Sequence, residues 1–126
     1  MRIYAAPMEG ITGYIYRNAH FRWFGGVDRY FTPFIVPGKK RGFRSRELND
    51  ILPAHNEGVP VTPQILTNDS EDFLHTAAIL RDYGYEEVNL NLGCPSGTAV
   101  STGRGSGFVA VPEELDGFLE RIFSGT

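Results

Sequence analysis

Val88-Asn89-Leu90-Asn91-Leu92-Gly93-Cys94-Pro95-Ser96 alternates apolar and amide side chains over five residues and then turns sharply. In a β-strand successive side chains point to opposite faces. Val88, Leu90 and Leu92 therefore share one face, and Asn89 and Asn91 share the other. Gly93 permits a tight backbone and Pro95 stiffens the turn, so the chain's only cysteine is delivered at the C-terminal end of a strand over Glu87–Leu92. A thiol held there reads either as a functional group or as a buried structural cysteine.

Working backward, Ser70–Tyr83 reads as a helix, with Phe73, Leu74, Ala77 and Leu80 inward, Asn68 or Asp69 as N-cap and Gly84 as stop. Pro60–Leu66 reads as a strand before it. Further back, Val27–Thr32 and Arg2–Ala6 read as strands. The helix between them covers residues 12–24, capped by Thr12, with Ile11, Ile15, Ala19, Trp23 and Phe24 forming a core-facing stripe. A long connection from Pro33 to Ala54 holds a short helix over Arg46–Leu52. Working forward, residues 97–111 read as a glycine-rich loop. Pro112 then opens a last helix with Leu115, Phe118, Leu119 and Ile122 as its apolar stripe.

The order β-α-β-(loop)-β-α-β-loop-α implies parallel strands joined by right-handed crossovers. It predicts the first four units of a (β/α)₈ barrel, a fold whose usual length of ~250 residues is about twice this chain. A flavodoxin-like open parallel sheet is the alternative. Residues 1–126 are then the N-terminal half of a catalytic barrel. Such a half would expose its outer strands as edges and is expected to self-associate.

The composition, 41% hydrophobic and 21% charged, is that of a globular protein, and no run of ~18 apolar residues exists to cross a membrane. The N-terminal residues form no long apolar segment of the signal-peptide kind. One cysteine allows neither an internal disulfide nor a four-cysteine zinc site, and fits a cytoplasmic setting. His20, His55 and His75 lack ligand spacing. The net charge of −3 is unevenly spread: residues 1–62 carry nine basic groups against five acidic, and residues 63–126 carry three against ten. Five of the basic groups are Lys39, Lys40, Arg41, Arg44 and Arg46, a cluster interleaved with Phe43 that suits either a phosphate backbone or a solvated loop.

Other strand ends carry candidates too. Ala5-Ala6-Pro7-Met8-Glu9-Gly10 offers small residues for close approach of a planar ligand and a soft methionine surface. Gln64, among apolar neighbours, must find hydrogen-bond partners, and its amide offers both donor and acceptor. The alternating glycines of Thr102-Gly103-Arg104-Gly105-Ser106-Gly107 either bare backbone N–H groups to a phosphate or allow tight loop packing, without the spacing of a dinucleotide fingerprint.

Together these motifs resemble the N-terminal half of the tRNA-dihydrouridine synthase family. The resemblance rests on Ala6-Pro7-Met8-Glu9-Gly10-Ile11-Thr12 with Arg17, on Pro63-Gln64-Ile65 with Asn68 and Phe73, and on Asn89-Leu90-Asn91-Leu92-Gly93-Cys94-Pro95-Ser96. Gly103, Gly105, Ser106-Gly107 and Pro112-Glu113 continue it. It implies a (β/α)₈ enzyme that binds FMN, is reduced by NADPH and reduces uridine in tRNA. Cys94 would be the general acid at C5 of the uracil. Pro7, Met8, Glu9, Gln64 and Asn91 would bind the flavin, and Lys39, Lys40, Arg41, Arg44 and Arg46 would contact RNA. Where such sequences commonly carry lysine before the first loop glycine, this chain has Thr102. The family's later FMN-phosphate loops and helical RNA-binding domain have no counterpart in these residues, so the chain alone is expected to be inactive. The alternatives are an FMN barrel dehydrogenase acting on a free pyrimidine and a non-catalytic truncated product.

Overall fold

Four extended segments run parallel and follow one another across the sheet. A computed structural model describes residues 1–38 and 42–125. Strands β1 (Tyr4–Ala5), β2 (Arg29–Phe31) and β3 (Val61–Thr62) lie side by side in that order. Tyr4 stands opposite Arg29, and Tyr30 opposite Val61. Pro63 has no amide N–H and interrupts the third segment. The chain resumes as β4 (Gln64–Ile65), which pairs in parallel with β5 (Asn89–Leu90). Ile35 N–H donates to Gln64 O at 2.8 Å and Leu66 N–H to Ile35 O at 2.9 Å, so the second and third segments stay joined past the proline.

In a flavodoxin-like sheet the first strand would lie between the second and third. Here β2 occupies that place, which removes the flavodoxin-like alternative. The structure is a partial α/β fold. Among the described residues the strands do not close into a barrel, and β1 and β5 each have a strand neighbour on one side only.

The sheet is two-faced because each strand alternates. Ile35, Ile65 and Leu90 pack towards the helices, into a core shared with Phe73 and Leu80 of α3 (Ser70–Asp82) and Phe118 and Ile122 of α6 (Pro112–Gly125). Phe118 is fully buried, its ring edge-on to Phe73 and Phe108. The stripes expected for these two helices are the ones observed. Asp69 caps α3 through Oδ1, which accepts from Asp72 N–H at 2.9 Å. Gly84 ends it at φ +101°, where an L side chain would be strained. The opposite face of the sheet is polar: Arg29 donates to Thr62 Oγ1 at 3.0 Å and pairs with Glu87, while the Gln64 side chain bonds both Asn89 and Asn91.

Helix α1 (Tyr14–Trp23) corrects the expected stripe. Ile15, Trp23 and Phe24 are 70%, 74% and 81% exposed, and Ile11 and Ala19 are exposed as well. The residue that α1 buries is Arg17, 1% exposed. Its Nη1 donates to Thr12 O at 3.0 Å, and its Nη2 to Asp50 O at 2.7 Å and Asn56 Oδ1 at 3.0 Å. The Asp50 carboxylate lies 4.0 Å from Nη1. Burial pulls the Arg17 pKa below its ordinary value and Asp50 opposes that pull; an arginine remains charged all the same. These partners turn a polar face of α1 inward, against α2 (Ser45–Ile51) and the 3₁₀ turn Pro53–His55. Thr12 is not the cap of α1 either. Its hydroxyl accepts from Met8 N–H at 2.7 Å, and Tyr14 N–H at the helix start donates instead to Asp50 Oδ1 at 3.0 Å.

The glycine-rich loop is corrected as well, since it contains α4 (Gly97–Ser101) and α5 (Ser106–Val109). Ser96 caps α4, accepting from Ala99 N–H. Arg17→Ala should leave the buried acceptors Thr12 O, Asp50 O and Asn56 Oδ1 without their donor, while the Asp50 carboxylate keeps Tyr14 N–H and Arg46. Unfolding in denaturant is expected to show a loss of about 3–5 kcal/mol, since each buried acceptor left unmade costs about 1–3. A loss below about 1 kcal/mol would show that these acceptors are satisfied without it.

Candidate active site

The C-terminal ends of the parallel segments border one cleft of about 420 Å³. The turn after β1 contributes Pro7 and Glu9, the segment after β2 contributes Pro33 and Phe34, and β4 contributes Gln64. From β5 onward come Leu90, Asn91, Leu92, Gly93, Cys94 and Pro95. Pro7, Glu9, Gln64, Asn91 and Cys94, chosen from sequence as site residues, are thus brought to one rim. Met8 is not on it. That residue lines a separate cavity of about 100 Å³ between β1 and α1, with Arg17 and His20. A larger hollow, about 750 Å³, lies beside α3 and residues 84–88 and touches none of these groups.

Hydrogen bonds fix the amides of the cleft. Gln64 and Asn89 are register partners across β4 and β5, and Gln64 Nε2 donates to Asn89 Oδ1 at 2.8 Å. Asn91 Nδ2 donates to Gln64 Oε1 at 2.9 Å. Asn91 Oδ1 accepts from Gly93 N–H at 3.0 Å and Cys94 N–H at 2.9 Å, closing the turn that presents the thiol. Gln64 N–H donates to Thr32 Oγ1 at 3.1 Å, tying the third segment to the second.

The far side of the Cys94 residue is held from α5. Cys94 O accepts from both Ser106 N–H and Ser106 Oγ at 3.0 Å. Gly105 makes that approach possible: a Cβ there would stand 2.7 Å from Cys94 O and 2.9 Å from Cys94 Cβ, and its φ of +58° disfavours any side chain. The half-buried thiol itself lies 3.4 Å from Ser96 Oγ. Thr102, the departure from the expected lysine, ends α4 with its hydroxyl donated to Thr98 O at 2.8 Å, and its carbonyl accepts from Asn68 Nδ2.

The basic cluster is only partly in view, because Lys39, Lys40 and Arg41 lie outside the described residues. Arg44 is exposed at the start of α2. Arg46 is engaged within the fold, donating to Phe34 O at 2.9 Å and lying 3.5 Å from the Asp50 carboxylate. It braces the segment that carries Phe34 into the cleft. His20 Nδ1 lies 2.6 Å from Tyr30 Oη, and His55 stacks on Tyr14. Among the described residues there is no group of three metal-ligating side chains, and no helix is long and apolar enough to cross a membrane.

The family model for dihydrouridine synthase matches residues 4–123. The chain belongs to the dihydrouridine synthase family. It is 28% identical to a tRNA-dihydrouridine(16) synthase of Pseudomonas putida, over 97% of this chain and 39% of that protein. A tRNA-dihydrouridine(16) synthase of Cupriavidus necator is 31% identical, over 96% and 39%. A tRNA-dihydrouridine(20/20a) synthase of Vibrio cholerae is 33% identical, over 75% and 28%. The chain thus spans about two-fifths of the length of the first two relatives, 39% of each.

Pro33, Phe34 and Ser106 were not chosen from sequence as site residues, although Ser106 stands among the loop residues that carry the family resemblance. For the first two the signal was available, since every strand end of a parallel sheet faces the same side and Pro33 marks one. For Ser106 the loop motif was visible but not its contact with Cys94, which spans twelve residues and depends on α5. Gly105→Ala tests that contact. It should lower stability by about 1–3 kcal/mol in denaturant and change the rate at which iodoacetamide alkylates Cys94. If both stayed at wild-type values, the close packing of α5 on Cys94 would be disproved.

Proposed function

We propose that this chain forms the first four β/α units of a (β/α)₈ barrel and carries the ring-binding side of an FMN site that reduces uridine in tRNA to dihydrouridine. The observation that carries this reading is the convergence of Gln64, Asn91 and Cys94 on one cleft with apolar walls from Pro7, Phe34 and Leu92. The donor set fits the flavin ring. After its two side-chain bonds Gln64 still has one N–H and one lone pair, the pattern that the polar edge of an isoalloxazine needs. It does not fit the phosphate, because among the described residues no lysine or arginine lines the cleft. A helix N-terminus or backbone donors would supply that anchor.

Gln64 and Asn91 would hold the ring of FMN, which when bound would supply hydride chemistry at C6 of the uracil with NADPH as reductant. Cys94 holds at Sγ the proton that goes to C5, so hydride and proton together saturate the ring. The half-exposed thiolate left behind regains its proton from water. Asn91 and Ser106 act through the backbone of Cys94, holding its N–H and C=O so that Sγ keeps one position. The target base must leave its stack to reach the cleft. Lys39, Lys40, Arg41 and Arg44 are the proposed contacts with the RNA backbone, with Arg46 serving mainly to brace Phe34.

An FMN titration of the 126-residue chain, followed by flavin absorption, tests the cofactor reading. Weak binding is expected, with a red-edge change in the flavin band, and without reductase activity for the chain alone. Gln64→Leu should weaken it roughly tenfold or more, the scale of a buried hydrogen bond to a ligand at about 1–3 kcal/mol. A flavin spectrum unchanged at millimolar FMN would sink the proposal. In a protein of the relatives' full length, Cys94→Ala should keep NADPH-driven flavin bleaching and cut dihydrouridine formation by about 10²–10⁴. Wild-type dihydrouridine formation in that variant would remove the acid role.

A further inference from the structure

The backbone N–H groups of Gly93 and Cys94 can only donate, and both meet Asn91 Oδ1. That fixes which end of the Asn91 amide faces them, so its Nδ2 must face Gln64, where it meets Oε1 at 2.9 Å. Gln64 therefore presents Nε2 to the next residue, and Asn89 accepts there through Oδ1 at 2.8 Å. Each amide hands its orientation to the next, from the Cys94 turn back to β5. A reversed Gln64 would set N–H against N–H in a residue that is only 8% exposed.

Asn89 does not border the cleft. Its side chain is half-buried on the polar face of the sheet, directly opposite Gln64 in register. We propose that Asn89 is a positioning residue: its side-chain oxygen ends the relay and holds Gln64 with one N–H and one lone pair turned to the cleft. The requirement at position 89 is for an acceptor, not for an amide as such. Aspartate meets it and leucine, of similar size, does not. This inference rests on the flavin reading only for its consequence in binding, because the relay itself is present without any ligand.

Gln64 is the only glutamine in the chain, so glutamine-specific ¹⁵N labelling gives one pair of side-chain amide signals. In the wild-type chain, one Nε2 proton should exchange with water more slowly than the other. Asn89→Leu should shift that proton upfield, speed its exchange and weaken FMN binding about tenfold, while Asn89→Asp keeps both properties near wild type. Equal, solvent-like exchange of both wild-type protons would overturn the proposal even if Asn89→Leu failed to fold. So would unmoved Gln64 signals in a folded Asn89→Leu chain, or an Asn89→Asp chain as impaired as the leucine variant. The two readings fail separately. A wild-type chain that shows the protected proton but ignores FMN keeps Gln64 positioning and removes the flavin, whereas FMN binding with unprotected Gln64 protons does the reverse.

Discussion

Gln64 stands directly opposite Asn89 across two parallel strands, and most of the site follows from that register. Side chains alternate with a period of two, so a slip of one residue would turn Ile65 and Leu90 away from the helices and put amides in the core. The apolar partners leave no freedom in the matter, because Ile65 is fully buried among Ile35, Phe73 and Leu80. The core thus fixes the register, and the register brings the three amides into line. The last of these holds the turn that presents Cys94. Packing on one face of the sheet and chemistry on the other are two readings of one pairing.

The parts of the fold legible in the sequence were those governed by near neighbours. Alternation in residues 87–92, the Asp69 cap and the glycine stop at position 84 all act within a few residues, and all are seen. The polar interior of α1 was not legible. Arg17 is buried because Asp50 and Asn56 meet it from 33 and 39 residues away, and no local pattern announces such partners. An apolar stripe without them would have faced the core by default. The helical turns at 97–101 and 106–109 were hidden by glycines, which weaken helix propensity but yield here to the Ser96 cap and the contact between Ser106 and Cys94.

The site was legible in a similar proportion. Cys94, Gln64 and Asn91 are visible because strand ends are places where polar residues need a reason. Pro7 and Glu9 reach the same rim, and Met8 lies in the smaller cavity behind β1 instead. Phe34 reaches the cleft through a connection whose path depends on Arg46 gripping its carbonyl, a bond that no residue spacing discloses. The cleft lies within residues 4–123, the span that the family model matches, and among the described residues no lysine or arginine lines it.

The buried guanidinium of Arg17 has one more consequence. Through Thr12, Asp50 and Asn56 a single side chain ties the start of α1 to α2 and to the 3₁₀ turn after it. None of these three segments can loosen alone without stranding a charge. Helices α1 and α2 and the 3₁₀ turn are therefore expected to open as one cooperative unit, their amide protons becoming accessible to deuterium together and not helix by helix.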